Sequence, residues 1–134
     1  MGRITMECFV EISSKINLTE EPEKVKKSIH NIFPNGDILQ ESDKFFLKGN
    51  KDLLNNFKKI LEKREIIAVA RLIMDQSIED NTLTFYISKQ TAFVNEINFS
   101  EGNSPLGDIQ IKIESSNLEE ILNWLAPVEE FYEF

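Results

Sequence analysis

Lys58, Lys59, Lys63 and Arg64 crowd two turns of one segment. Cations at that spacing can hold phosphate oxygens through charge-assisted hydrogen bonds. They also complement the negative end of a helix dipole, so a purely structural account competes with the phosphate account. Other chemistry is scarce. Cys8 and His30 are the sole cysteine and histidine. Zinc sites and cysteine–histidine catalysis therefore have no ligand or base set, and no metal or cofactor is expected. No glycine-rich phosphate loop is present, and no nucleophile elbow surrounds a serine. Glu119-Glu120 and Glu129-Glu130 read as helix-start and solvated charges rather than a paired-carboxylate site. The chain is expected not to be an enzyme.

These side chains need a scaffold, and its periodicity is legible. Residues 4–13 alternate with Ile4, Met6, Cys8, Val10 and Ile12 on one face, a half-buried strand. Cys8 lies in the buried set as a small core hydrophobe. Thr19 is a candidate cap for a helix with Pro22 in its first turn and Val25, Ile29, Ile32 and Phe33 on its apolar face. Pro34-Asn35-Gly36-Asp37 ends it. His30 sits on the outer face with Lys24, Lys26 and Lys27.

Residues 37–41 and 44–48 read as short strands. Gly49-Asn50 opens a helix with Leu53, Leu54, Phe57, Ile60 and Leu61 as its stripe. Residues 65–78 continue as helix with a kink near Arg64-Glu65. Their wide apolar circumference predicts cover on two sides, and Arg71 and Asp75 are spaced to pair. Asn81 suits a left-handed position after the break at 79–81. Strands follow at 82–88, 93–99 and 109–113, in the manner of an antiparallel meander. Asn95 interrupts the middle one, as a bulge or an edge would. Asn117 and Glu120 make a capping-box-like start to a last helix with Leu118, Ile121, Leu122 and Leu125 inward. Trp124 is expected at the edge of that face. The tail VEEFYEF mixes aromatics with acids, as a docking segment or a homodimer contact would.

The chain of 134 residues fits one domain, residues 1–134. One cysteine, no signal-like leader and no long apolar run predict a cytoplasmic setting without a membrane span. The net charge of −8 is unevenly spread. Residues 15–71 carry 12 Lys and Arg against 9 Asp and Glu, whereas residues 72–134 carry 2 against 12. Broad non-specific nucleic-acid binding is disfavoured by that balance, while a local basic patch is not.

Four stretches carry a family resemblance: TEEPEKVKKSIHNIFP (Thr19–Pro34), AVAR ending at Arg71, TFYISKQTAFVNEINF (Thr84–Phe99) and SPLGDIQIKI (Ser104–Ile113). In this order they resemble a family of small archaeal proteins of unestablished function, described as predicted RNA-binding proteins or predicted exosome subunits. That resemblance implies a fold like the large-subunit ribosomal protein L-five. This is an α+β domain, with a mixed, mainly antiparallel sheet covered by helices. The element order read above, β-α-β-β-α-α-β-β-β-α, agrees, although periodicity alone suits a ferredoxin-like arrangement equally. Asn95 stands where the resemblance leads one to expect glycine. The family supplies no catalytic residues. If RNA is bound, the matching positions are Arg71, Lys89 and Gln90. For Lys89-Gln90 the structural alternative is a corner held by side-chain hydrogen bonds.

Three functional readings follow. The first is an RNA-associated protein, touching structured RNA or an RNA-processing complex such as an exosome. It would use Lys58, Lys59, Lys63, Arg64, Arg71, Lys89 and Gln90. Tyr86 and Phe9 could stack bases, but Glu7, Glu11, Asp108 and Glu114 would repel a backbone on the sheet, so helices or loops are the expected contact. The second is a protein–protein adaptor or homodimer. The third is a small enzyme with a carboxylate-based site.

Overall fold

Alternating apolar residues build one antiparallel sheet, and helices cover one of its faces. The structure, a computed structural model, describes residues 7–103 and 107–128. The expectations for residues 4–6, Ser104–Leu106, Glu129-Glu130 and the remainder of the tail lie outside them. The strands are β1 (Phe9–Lys15), β2 (Leu39–Glu41), β3 (Lys44–Gly49), β4 (Ile78–Glu79), β5 (Thr82–Ile87), β6 (Phe99–Ser100) and β7 (Ile109–Glu114). The helices are α1 (Pro22–Ile32), α2 (Asn55–Lys63), α3 (Ile67–Asp75), α4 (Lys89–Phe93) and α5 (Leu118–Leu125). A 3-10 turn over Lys51–Leu54, capped by the Asn50 side chain, leads into α2.

The sheet order is β2-β3-β1-β7-β5-β4, with β6 also on β5. Every pairing among the described residues is antiparallel, so no parallel pair makes the sheet mixed. The expected meander is replaced. β7 crosses β5 to pair with β1, while β4 and β6 share the other edge of β5. Val10, Ile12, Phe45, Leu47, Leu83, Phe85, Ile87, Ile109, Ile111 and Ile113 form the buried face, in one cluster with the apolar sides of the helices. A column of rings joins three layers of that core. Phe33 stacks on Phe57 at 5.7 Å, Phe57 meets Phe85 at 5.7 Å, and Phe85 meets Phe99 at 5.9 Å.

Local chemistry explains where the expected elements shift. Pro22 occupies the first turn of α1, but the cap position is Glu21, without a side-chain cap bond, rather than Thr19. The helix expected to run through residues 65–78 is broken. Glu65 takes φ +58°, Glu65 N–H donates to Glu62 and Ile66 N–H to Leu61, a left-handed closure of α2. Cover on two sides of α3 is not found: Val69 and Leu72 are 54% and 58% exposed. At the hairpin after β4 the left-handed residue is Asp80, not Asn81.

The largest departure is the expected strand 93–99, of which only Phe99 pairs, together with Ser100 in β6. The Ser88 hydroxyl accepts from Thr91 N–H and starts α4. Asn95, at φ +64°, ends it, with Asn95 N–H on Ala92 and Glu96 N–H on Thr91. That closure needs a left-handed residue at position 95, which accounts for the glycine expected there. At the last helix the Asn117 side chain caps α5 as read.

Candidate nucleic-acid interface

α1 and α2 meet the end of α4 along a cleft of about 540 Å3, lined by Asn31, Asn56, Lys59, Lys63, Arg64 and Asn95, among others. Two asparagines build it. Asn31 Nδ2 donates to the carbonyls of Ala92 (3.1 Å) and Phe93 (3.0 Å). Asn56 Nδ2 donates to those of Asn31 (3.1 Å) and Ile32 (3.2 Å). Each thereby satisfies carbonyls that helix ends leave open. Sequence reasoning missed both, since an asparagine on a helix reads only as a polar position.

Lys59 and Lys63 lie one turn apart on α2, exposed, and neither has an ion-pair partner among the described residues. Arg64 Nη2 is 3.6 Å from Glu96 Oε2, with both side chains half exposed. Such a surface pair contributes about 0–1 kcal/mol. The guanidinium is therefore cheaply released to an anion. Lys27, exposed on α1, lies 4.9 Å from the Phe93 ring.

The other expected residues are directed elsewhere. Lys58 pairs with Glu62 at 2.7 Å and lies 5.9 Å from the Trp124 ring, whose other cation is Lys51 at 4.5 Å. Arg71 pairs with Asp75, as spaced, and also reaches Asn123 Oδ1 (3.0 Å) and the Ala126 carbonyl (3.1 Å). It ties α3 to the end of α5, and little of it remains accessible.

Lys89 is 5% exposed. Its Nζ donates to the Lys15 carbonyl (2.7 Å) and to Glu20 Oε1 (2.9 Å) and Oε2 (3.2 Å). The ammonium is thus committed inside the fold, at a corner between β1, the loop before α1 and α4, and is not available to RNA. Burial pushes the Glu20 carboxyl up. The Asn17 backbone N–H, the Lys89 ammonium and the Asn17 amide together outweigh that and hold it below the ordinary glutamate value. Gln90, the next residue, is exposed and lines a separate cleft with Lys24, Phe93 and the Lys89–Glu20 pair. Cys8 is buried, and burial raises its thiol pKa, in keeping with an inert core residue.

Fold and cleft together define an antiparallel α+β domain with a polycationic groove between helices. A family model described as RNA binding matches residues 9–115. A UPF0201 protein of Methanothermobacter thermautotrophicus is 40% identical over 119 residues, covering 88% of this chain and 90% of that one. The solved structure of an uncharacterized UPF0201 protein superposes with a TM-score of 0.81 at 31% identity, covering 90% of this chain and 94% of the other. That of a UPF0201 protein from Methanococcus jannaschii gives 0.76 at 28% identity, covering 92% and 96%. The chain belongs to this family, the archaeal UPF0201 proteins. A relative in Archaeoglobus fulgidus, 34% identical over 120 residues, is named UPF0200/UPF0201; the match covers 88% of this chain and 37% of that longer one. Among the described residues no helix is long and apolar enough to cross a membrane.

Proposed function

We propose that this chain is a non-enzymatic, RNA-associated binding protein of the cytoplasm that grips the RNA backbone through the α1–α2 cleft. The observation that carries the reading is the convergence of Lys59, Lys63 and Arg64 on one open cleft, in a family whose model is described as RNA binding. Two lysines without ion-pair partners and one loosely paired arginine are what phosphate contacts require. The test is a titration of structured RNA at rising salt. Affinity should fall steeply with salt, and the slope should flatten by about one unit for each cation neutralised. Absence of salt-dependent binding at low ionic strength would defeat the reading.

A second reading, a module working beside a protein partner such as an RNA-processing complex, draws on the Archaeoglobus relative, in which a UPF0201 segment occupies part of a longer chain. A pull-down that recovers one stoichiometric protein, insensitive to ribonuclease, would favour it over RNA.

A further inference from the structure

The sheet face opposite the helices carries a row of side chains that alternation alone could not align. The register sets Phe46 of β3 opposite Ser13 of β1, Ser13 opposite Gln110 of β7, and Gln110 opposite Tyr86 of β5. Two aromatic rings therefore flank a floor of one serine and one glutamine. Three strand spacings separate them, roughly 14 Å. Phe46 and Tyr86 are half-buried, so each ring retains accessible surface. Gly102 backs the Tyr86 ring so closely that a Cβ there would stand 2.9 Å from Cε1 and Cζ. The Tyr86 hydroxyl and the Gln110 amide make no hydrogen bond among the described residues, which leaves donors and acceptors for a ligand.

The flanking rows carry four lysines against Glu11 and Glu41. Lys15 and Lys44 are paired on one side, and Lys48 and Lys112 stand on either side of Glu11 on the other. Lys48 Nζ lies 5.5 Å from the Phe46 ring. In a chain of net charge −8, this band holds four exposed lysines. Of the acids expected to repel a nucleic-acid backbone, Glu11 is set between two lysines and Glu114 lies a row farther off, opposite Phe9. Asp108 accepts from the Ser100 hydroxyl at 2.7 Å. Glu41, at the edge opposite Lys44, is the other acid in the band.

We propose that this row is a stacking platform for unpaired bases of single-stranded RNA, with Phe46 and Tyr86 as the two stacking residues, Gln110 beneath the base edges beside the buried Ser13, and the lysine rows along the backbone. The proposal rests on the RNA reading of the family and adds a second surface, on the other side of the molecule from the cleft. Flat aromatic faces spaced along a positive strip are how sheets hold single strands without reading a duplex.

The test uses the full chain, a labelled short oligouridylate and its duplex with oligoadenylate. Phe46→Leu and Tyr86→Leu keep apolar bulk and remove the ring, and thermal melting checks that both fold. Each should weaken oligouridylate binding by roughly fivefold to a hundredfold, with the salt slope unchanged and duplex binding unaffected. Ultraviolet crosslinking of the wild type should place the nucleotide on peptides containing Phe46 or Tyr86. If the leucine variants bind oligouridylate like the wild type and crosslinks map elsewhere, the platform is refuted while the cleft reading stands. If no RNA binds at all, both fall. If the variants instead halve the mass in solution, the face joins two copies of the chain and the proposal is overturned.

Discussion

Lys89 and Lys63 carry the same ammonium group in opposite surroundings. Lys89 is buried, with its charge held by Glu20 and the Lys15 carbonyl. Lys63 is exposed at the lip of the α1–α2 cleft, without an ion-pair partner among the described residues. A buried ammonium must be matched inside the fold, since an unpaired one is strongly penalised. An exposed cation on a helix is free to bind. Residue type makes a lysine a candidate for phosphate contact, but burial decides whether it holds the protein or the ligand.

The sharpest way to break that comparison is to remove one ammonium of each kind. Lys89→Met leaves the Glu20 carboxylate, whose side chain is 15% exposed, without its cation. It should destabilise the fold by about 1.5–3 kcal/mol in urea unfolding. Lys63→Gln should stay within about 0.5 kcal/mol of wild type, as surface changes do. Equal losses would mean that the two lysines do not differ as described.

The same pair predicts a pH signature. The folded carboxyl of Glu20 lies below the ordinary glutamate value, so its contribution is fully present above that value, about 4.3. It is lost as pH falls through the ordinary value toward the lower folded one. Glu20→Gln should cost about 1.5–3 kcal/mol at neutral pH, the range for hydrogen bonds to a charged group. The gap between the two proteins should close on acidification. A gap independent of pH would show that Glu20 contributes through packing rather than charge.

For the cleft, the triple change Lys59→Gln, Lys63→Gln and Arg64→Gln should leave unfolding nearly unchanged. It should reduce the salt dependence of RNA affinity by about three units of slope. The matching change at Lys58 should have a smaller effect, because its ammonium is already engaged by Glu62 and Trp124.

The periodic elements were legible because their pattern is local. α1, α2, α5 and the strands β1, β5 and β7 follow from alternation, helical spacing and caps such as Asn117, and β3 from its apolar run Phe45-Phe46-Leu47, which leaves its faces open. The sheet order was not, because placing β7 between β1 and β5 is decided by pairing between distant segments. The row joining Phe46 to Tyr86 depends on that order, so no inspection of either strand could find it. For the site, the cluster on α2 was visible as charge. The splitting of Lys58 from Lys59 and Lys63, and the burial of Lys89, were not. They depend on Trp124 and Glu20, which come from other parts of the chain. α4 was missed because residues 89–92 read as a connection and Phe93 and Val94 have strand propensity, which the Ser88 cap and the Asn95 closure override.

The smallest expected effect lies where stability and binding touch the same residue. Asn95 lines the cleft and also closes α4 at φ +64°. Asparagine tolerates that conformation better than most side chains, and glycine adopts it without strain, so Asn95→Gly should stabilise the protein by about 0.5–1 kcal/mol. Glu65→Gly, at the equivalent closure of α2, should gain about 1 kcal/mol, since glutamate has no such tolerance. The two variants separate backbone from side chain in the cleft. If RNA is held by Lys59, Lys63 and Arg64 alone, Asn95→Gly raises stability and leaves affinity unchanged. If affinity falls while stability rises, the Asn95 amide is itself a contact, and the interface extends from α2 onto the turn after α4.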